Sequence, residues 1–347
     1  MRNNFIVVNH VGALAKRIFV GIIFLLIGVG SLPAANTTLL NASFDVSRHL
    51  YDQINPAFVQ RWKAQTGETL VINQSHVGST KQARSVIEGL EADVVTLNQA
   101  TDIDAIAAQS NLLPANWSTL LPNHSSPYTS AIIFLVRKGN PKGIKDWDDL
   151  VKDNVSVVVP NPKTSGNGRY SYLSAYAFAL QKFTNNDAKA REFVAALFKN
   201  VPVLDTGGRG ATTTFTQRDI GDVLLTFESE VLLTTNELGA DKFDVVVPSQ
   251  SVLAEMPVAV VQRVASKHDT ERVARAYLEF LYTEEGQEII AKNFYRPRSA
   301  AVAKRYEKQF APLKLVSVDD VFGGWAKAQK VHFAEGGVFD QIQQLNR

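Results

Sequence analysis

The sequence has 347 residues, of which 45% are hydrophobic and 20% charged, and it contains no cysteine. This length and composition predict a globular protein with a large core and two domains. The lack of cysteine excludes disulfide bonds, a thiol nucleophile and a thiolate metal site.

The N-terminal residues 1–35 have the pattern of a signal peptide. Basic residues precede an apolar stretch from Ile18 to Gly30, which is shorter than the roughly 20 residues of a membrane span. We expect cleavage next to Ala35 and a soluble mature protein in the periplasm, with an uncleaved anchor as the alternative. Without residues 1–35 the chain keeps 33 basic and 34 acidic residues. This balance gives no support for nucleic-acid binding.

Short β-branched and apolar runs alternate with helical patterns along the chain. The runs are "TLLNASF", "TLVINQS", "ADVVTL", "AIIFLVRK", "VSVVVP", "DVLLTF", "FDVVVP" and "VAVVQRV". They predict α/β architecture with buried, largely parallel strands. No linker-like segment separates two domains, so we expect strand-like crossings between two lobes near Ser130 and Ser249. Lobe 1 would then comprise residues 36–129 and 250–347, the latter with the C-terminal helices, and lobe 2 residues 130–249.

One segment, "TSGNGRYSYLSAYAFAL" from Thr164 to Leu180, has a polar, glycine-bearing start and an apolar continuation. Four apolar residues recur there at helical spacing: Leu173, Tyr176, Ala177 and Leu180. The helix should start close to Arg169, which places Ser165, Gly166 and Asn167 at its N-terminus. That end of a helix carries free N–H groups and a partial positive charge, and glycine lets a ligand approach closely.

Two further segments follow a strand in the same way. "VINQSHVGSTKQARSVIEGLEAD" passes through Ser75 to Gly78 into a helix, and Ser79 and Gln82 have the spacing of a capping box. "VPVLDTGGRGATTTF" has three glycines in four positions. These three helix starts would suit a small tetrahedral anion if they converged, because ligands of α/β sheets bind beyond the carboxyl ends of strands. Sequence alone does not decide whether they converge.

Competing chemistries have weaker signals. "HVGSTKQ" lacks the earlier glycine of a P-loop and places lysine after the hydroxyls. No G-x-S-x-G motif surrounds Ser165, and the six histidines lack metal-ligand spacing. We interpret His76, beside the first turn, as a structural or loop-ordering residue.

Six motifs together indicate a family: "SHVGSTKQA", "NPKTSGNGRYSYL", "DTGGRGATTTF", "GDVLLTFESE", "AKNFYRPR" and "FGGWAKAQK". In their order and distances they closely resemble the periplasmic sulfate- and thiosulfate-binding proteins of ABC importers, from about Leu40 to the C-terminus. The resemblance implies a type II periplasmic binding protein, α/β and two-lobed, with the anion in the interlobe cleft. It also implies a monomeric carrier without cofactor, metal or enzymatic activity, which delivers sulfate or thiosulfate to ABC permease subunits in the inner membrane.

The resemblance also implies the site residues. The family's serine donor on the first lobe corresponds to Ser79. The donors of the second lobe correspond to Ser165, Gly166, Asn167 and Gly208. Two residues would order the backbone near the site: Arg209 and His76. Asn167 stands where the sulfate branch usually has glycine, but its backbone N–H remains a donor.

Phe227 departs more sharply from the sulfate branch, which has at this position a tryptophan whose indole N–H donates to the anion. "LLTFESE" and "DTGGRGATTTF" look more like the thiosulfate branch. Two alternatives remain: a carrier of another oxyanion such as phosphate or molybdate, and an ester hydrolase with Ser165 or Ser79 as nucleophile. The hydrolase would need a general base and usually a metal.

Overall fold

The computed structural model describes residues 37–239 and 241–345. The predicted signal peptide therefore lies outside the described residues. None of the helices in the described ranges combines the length and the apolarity that a membrane crossing requires.

Each of the eight predicted runs contains a strand, although the last, "VAVVQRV", continues into a helix. The described strands are β1 (Thr37–Phe44), β2 (Leu70–Val77), β3 (Val94–Thr96), β4 (Tyr128–Ser130), β5 (Ile132–Arg137), β6 (Val157–Pro160), β7 (Leu204–Asp205), β8 (Val223–Phe227), β9 (Phe243–Val246), β10 (Gln250–Val252), β11 (Ala254–Met256), β12 (Val258–Val260), β13 (Arg296–Pro297) and β14 (Lys314–Val316).

Helices connect most of these strands. They are α1 (Arg48–Thr66), α2 (Ser79–Ile87), α3 (Ala100–Ser110), α4 (Pro122–Ser125), α5 (Gly166–Lys182), α6 (Asp187–Lys199), α7 (Gly208–Thr216), α8 (Glu228–Leu238), α9 (Gln262–Lys267), α10 (Glu271–Phe280), α11 (Glu284–Lys292), α12 (Ala300–Arg305), α13 (Val318–Phe322), α14 (Trp325–Ala328) and α15 (Val338–Leu345).

The first sheet has the strand order β12-β3-β1-β2. β1 runs parallel to β2 and β3, and β12 runs antiparallel to β3. Both faces are covered: Val94 packs in one hydrophobic cluster with Tyr51 of α1, and its neighbour Val95 packs in another with Val86 of α2. Adjacent strand residues point to opposite faces, so a continuously apolar strand fits between two helical layers.

The second sheet has the order β7-β6-β8-β5-β9. β6 is parallel to β7 and β8, but β5 is antiparallel to both β8 and β9. The expectation of largely parallel strands therefore holds only for part of each sheet. A parallel neighbour requires a returning crossover, whereas β5 enters this sheet directly from β4.

Two extended segments link the sheets. β4 and β5 are consecutive, and β10, β11 and β12 follow one another with single residues between them. β4 and β11 pair antiparallel, so the two segments run side by side. The fold is that of a two-lobed α/β binding protein. The lobe boundaries at Ser130 and Ser249 stay a prediction.

Helix α5 is buried on almost every side. Ser165 caps it by accepting a hydrogen bond from the N–H of Gly168 (3.5 Å), and every residue from Gly166 to Ala177 is buried. The C-terminal segment adds to this burial, since Trp325 packs edge-on against Tyr170 with ring centroids 5.1 Å apart. Burial on all sides explains why small and aromatic residues alternate along α5.

Candidate functional site

The three predicted helix starts converge around Gly78. A β-carbon built on Gly78 would lie 2.8 Å from the carbonyl oxygen of Thr164 and 2.8 Å from that of Thr206. Gly78 follows β2 of the first sheet and precedes α2, whereas Thr164 and Thr206 follow β6 and β7 of the second sheet and precede α5 and α7. Only glycine permits this approach, so the position requires a residue without a side chain.

The starts of α5 and α7 are equally close to each other. A β-carbon on Gly208, the first residue of α7, would lie 2.8 Å from Asn167 Nδ2 and 2.8 Å from Val46 Cγ1. Asn167 in turn donates through Nδ2 to Thr226 Oγ1 at 2.8 Å. The first turns of α2, α5 and α7 thus lie close together, and their first backbone N–H groups have no acceptor within their own helices.

Ser79 does not cap α2, and the predicted capping box with Gln82 is wrong. The helix begins at Ser79 itself, with Gly78 as N-cap residue. Ser79 Oγ donates to Asp102 Oδ2 at 2.6 Å and accepts from the N–H of Asn98 at 3.3 Å. A charged carboxylate is a strong acceptor for a hydroxyl proton. The hydroxyl proton is therefore committed to Asp102, and the group that Ser79 offers a ligand is its backbone N–H.

Asp102 also forms a buried ion pair between α3 and α5. Its Oδ1 lies 3.8 Å from Arg169 Nη1, and the two side chains are 4% and 6% exposed. Arg169 Nε donates to the carbonyl oxygen of Pro162 at 2.9 Å. Burial lowers the pKa of Arg169, and the charge of Asp102 opposes that change. The positive charge near the start of α5 is thus balanced within the protein.

Asp45, which sequence reasoning missed, contacts the start of α7. Its Oδ2 accepts from the backbone N–H of Arg209 at 2.9 Å, and a β-carbon on Gly207 would collide with the same oxygen. Burial raises the pKa of the Asp45 carboxyl, and the hydrogen bond from Arg209 opposes the rise. The sequence position of Asp45 could have indicated this role. Asp45 directly follows β1, so it lies at the same edge of the sheet as the turn after β2.

Arg209 and His76, the two residues predicted to order the site, contact neighbouring segments. Arg209 Nη1 lies 3.1 Å from Oε1 of Glu230, a buried residue of α8, so α7 is tied to α8. His76 Nδ1 lies 2.6 Å from Ser43 Oγ, between the carboxyl ends of β2 and β1. Burial, assisted by the charge of Arg48, lowers the pKa of His76 to about 4, so the ring is neutral near pH 7. Their ordering roles remain predictions.

Phe227 lies at the end of β8, directly before α8, and is fully buried. Its ring packs edge-on against Phe44 at 6.3 Å and against Tyr170 at 5.8 Å between centroids. Phe44 immediately precedes Asp45, and Tyr170 follows Arg169. Phe227 therefore forms an apolar wall next to segments that build the candidate site.

Lys163, two residues before Ser165, is directed away from the candidate site. Lys163 Nζ donates to the carbonyl oxygens of Phe333 (3.0 Å) and Ala334 (3.2 Å) and pairs with Asp340. Among the described residues there is also no group of three or more histidines and acidic residues that could hold a metal ion. The arrangement provides backbone and hydroxyl donors.

Comparisons with known proteins identify the family of this chain. Residues 46–296 match the model of a family described as bacterial extracellular solute-binding protein. The chain is 59% identical over 320 residues to the sulfate-binding protein of Salmonella typhimurium, covering 92% of this chain and 97% of the relative. The chain belongs to the family of sulfate- and thiosulfate-binding proteins. It is also 55% identical over 320 residues to the thiosulfate-binding protein of Pseudomonas aeruginosa, covering 92% of this chain and 96% of the relative.

A solved structure supports the fold. The sulfate-binding protein SubI from Mycobacterium tuberculosis superposes with a TM-score of 0.77 at 30% identity, covering 85% of this chain and 99% of SubI. Two sulfate-binding relatives are 59% and 58% identical to this chain and two thiosulfate-binding relatives 55% and 47%, so overall identity does not place the chain nearer the thiosulfate branch. The expectation that the chain lies nearer the thiosulfate branch therefore stays a prediction, which depends on local motifs and Phe227.

Proposed function

We propose that this chain is the solute-binding component of an ABC importer, which captures sulfate or thiosulfate in the periplasm and delivers it, as a monomer, to permease subunits in the inner membrane. The observation that carries the proposal is the convergence of three helix N-termini from two lobes around Gly78. The names of the relatives support the choice of ligand.

The converging groups would hold a dianion by hydrogen bonds alone. Each helix start contributes N–H groups and the positive end of a helix dipole. Preorganised donors need little rearrangement when the ion loses its water, so no cation is required. The proposed contacts are the backbone N–H groups of Ser79, Gly166, Asn167 and Gly208 and the hydroxyl of Ser165.

The lobes would close around the ion, and the permease would recognise the closed form. Gly78 and Asp45 of the first lobe contact Thr164, Thr206 and Arg209 of the second. These contacts can exist only while the lobes are together, so they would form on closure and break on release.

Titration calorimetry on residues 36–347 tests the proposal. Sulfate and thiosulfate should each give heat of binding, and phosphate and molybdate should compete weakly. A chromogenic sulfate ester, incubated with the same protein, should stay intact. Absence of binding heat with both sulfur oxyanions, or turnover of the ester, would refute the carrier function.

A further inference from the structure

Asn98 has a buried side-chain oxygen without a hydrogen-bond partner. The residue is 1% exposed, and in the described ranges no donor reaches its Oδ1. A buried amide oxygen that lacks a donor is unfavourable, and native structures rarely retain one without a reason. Asn98 lies in the loop between β3 and α3, a segment that the sequence motifs do not include.

Two contacts place the Asn98 amide at the candidate site. Its backbone N–H donates to Ser79 Oγ at 3.3 Å, which fixes the residue beside the start of α2. Its side chain reaches across to the start of α5: a β-carbon on Gly166 would collide with Oδ1 and would lie 2.8 Å from Cγ and 3.2 Å from Nδ2. The amide therefore lies between two of the three converging helix N-termini.

The environment at Gly166 favours a negatively charged group. The N-terminus of α5 attracts anions and acceptors, and the amide oxygen of Asn98 lies beside it, close to the position that a β-carbon on Gly166 would take. An amide carries an acceptor and two donors, and rotation about its terminal bond exchanges them. With an anion on α5, the favourable orientation turns Nδ2 toward the ion and Oδ1 away from it.

We propose that Asn98 is a ligand-contacting residue, which donates from Nδ2 to the anion bound at the N-termini of α2 and α5. The inference rests on the proposed function and extends it. Asn98 adds a side-chain amide donor from the first lobe to the backbone donors of the second. It therefore contributes affinity only when the lobes enclose the ion.

Two substitutions separate this role from a structural one. Asn98→Ala removes the donor, and a hydrogen bond to a charged group corresponds to a loss of roughly tenfold to a hundredfold in affinity. Asn98→Asp keeps the shape but places a negative charge against the dianion, so binding should weaken more than in Asn98→Ala. The same carboxylate suits the N-terminus of α5, so ligand-free Asn98→Asp should melt no lower than wild type.

The experiment is calorimetry with sulfate and with thiosulfate, together with melting curves of the ligand-free proteins. The matched control is Asn116→Ala, at an exposed position whose side chain makes no capping hydrogen bond, which should bind like wild type. The order wild type, then Asn98→Ala, then Asn98→Asp supports the proposal.

Three results would overturn it: unchanged affinity in Asn98→Ala, unchanged affinity in Asn98→Asp, or better binding by the isosteric Asp variant than by the Ala variant. Should Asn98→Ala fail to fold, Asn98→Asp carries the test alone. A wild type that binds neither anion contradicts the proposed function itself, which distinguishes that failure from failure of the Asn98 contact.

Discussion

Asp102 and Arg169 form a buried ion pair that joins α3, which follows β3 of the first sheet, to α5, which follows β6 of the second, with 3.8 Å between Oδ1 and Nη1. Asp102 also accepts the hydroxyl proton of Ser79. One carboxylate thus fixes a residue at the start of α2 and balances the charge of an arginine one turn inside α5. The pair therefore couples two of the helix starts that build the candidate site.

Asp102→Asn should destabilise the ligand-free protein strongly. The substitution keeps the shape but leaves the Arg169 charge buried without its partner, which costs about 3 to 5 kcal/mol. Urea denaturation measures the change in the free energy of unfolding. Adding Arg169→Met should restore part of the loss, because the unpaired charge is then gone.

Glu279→Ala is the matched control for that experiment. It breaks the ion pair of Arg275 and Glu279, whose side chains are 69% and 50% exposed. Exposed pairs contribute on the order of 0.2 to 1 kcal/mol. If Asp102→Asn costs no more than Glu279→Ala, the buried pair does not hold the two helices together.

Gly208→Asp should abolish anion binding. It would place a carboxylate where a backbone N–H is proposed to face the anion, and its β-carbon would lie 2.8 Å from Val46 Cγ1 across the cleft. We expect no measurable heat with sulfate or thiosulfate in calorimetry, while the ligand-free protein stays folded with a somewhat lower melting temperature, because the β-carbon also crowds Asn167 Nδ2.

Gly208→Asn distinguishes charge from bulk, since the two side chains have nearly the same size. The Asn variant should lose affinity through bulk alone and bind better than the Asp variant. If Gly208→Asp binds the anions with wild-type affinity and has a normal melting curve, Gly208 is not part of the binding site.

The fold and the helix starts were predictable because their signals are local. Apolar runs and the glycines or serines that follow them lie within a few residues of each other, and this was enough for the eight strands and for α5 and α7. The roles of other residues depend on distant partners. Asp45 bonds to a residue 164 positions away, and α2 begins one residue earlier than the capping-box spacing predicted, with Ser79 Oγ bonded to Asp102 and Asn98 instead.

His332 should make stability depend on pH. It is 5% exposed, its Nδ1 lies 3.0 Å from the Tyr172 hydroxyl, and burial lowers its pKa from 6.5 to about 4. Between these pH values the unfolded chain binds the proton and the folded chain does not. Stability should therefore fall as the pH decreases from 6.5 to 4, with up to about 3 kcal/mol from this residue.

Replacing His332 by Asn should reduce the change in the free energy of unfolding between pH 6.5 and pH 4. Urea denaturation at several pH values measures this change. His124→Asn is the control: His124 is exposed, and its φ of 53° is one that Asn tolerates. A His332→Asn protein with the wild-type slope would exclude His332 as the source.

Phe227→Trp should shift the preference toward sulfate. Thiosulfate has a larger, softer sulfur in place of one oxygen. This sulfur accepts hydrogen bonds weakly, so it loses less binding free energy than an oxygen does when it faces an apolar ring. An indole N–H at position 227, between Phe44 and Tyr170, would strengthen the binding of an anion oxygen by about 1.5 to 3 kcal/mol. We expect the wild type to bind thiosulfate at least as well as sulfate. Competition calorimetry gives the ratio of affinities.

Phe227→Leu is the control that separates the donor from the change in shape. Leucine supplies neither an N–H nor a ring, so it should not shift the ratio of affinities toward sulfate. It would, however, pack less well against Tyr170. A shift in Phe227→Trp without one in Phe227→Leu assigns the effect to the indole donor. A wild type that clearly prefers sulfate, or an unchanged ratio in a correctly folded Trp variant, would show that selectivity is set elsewhere in the site.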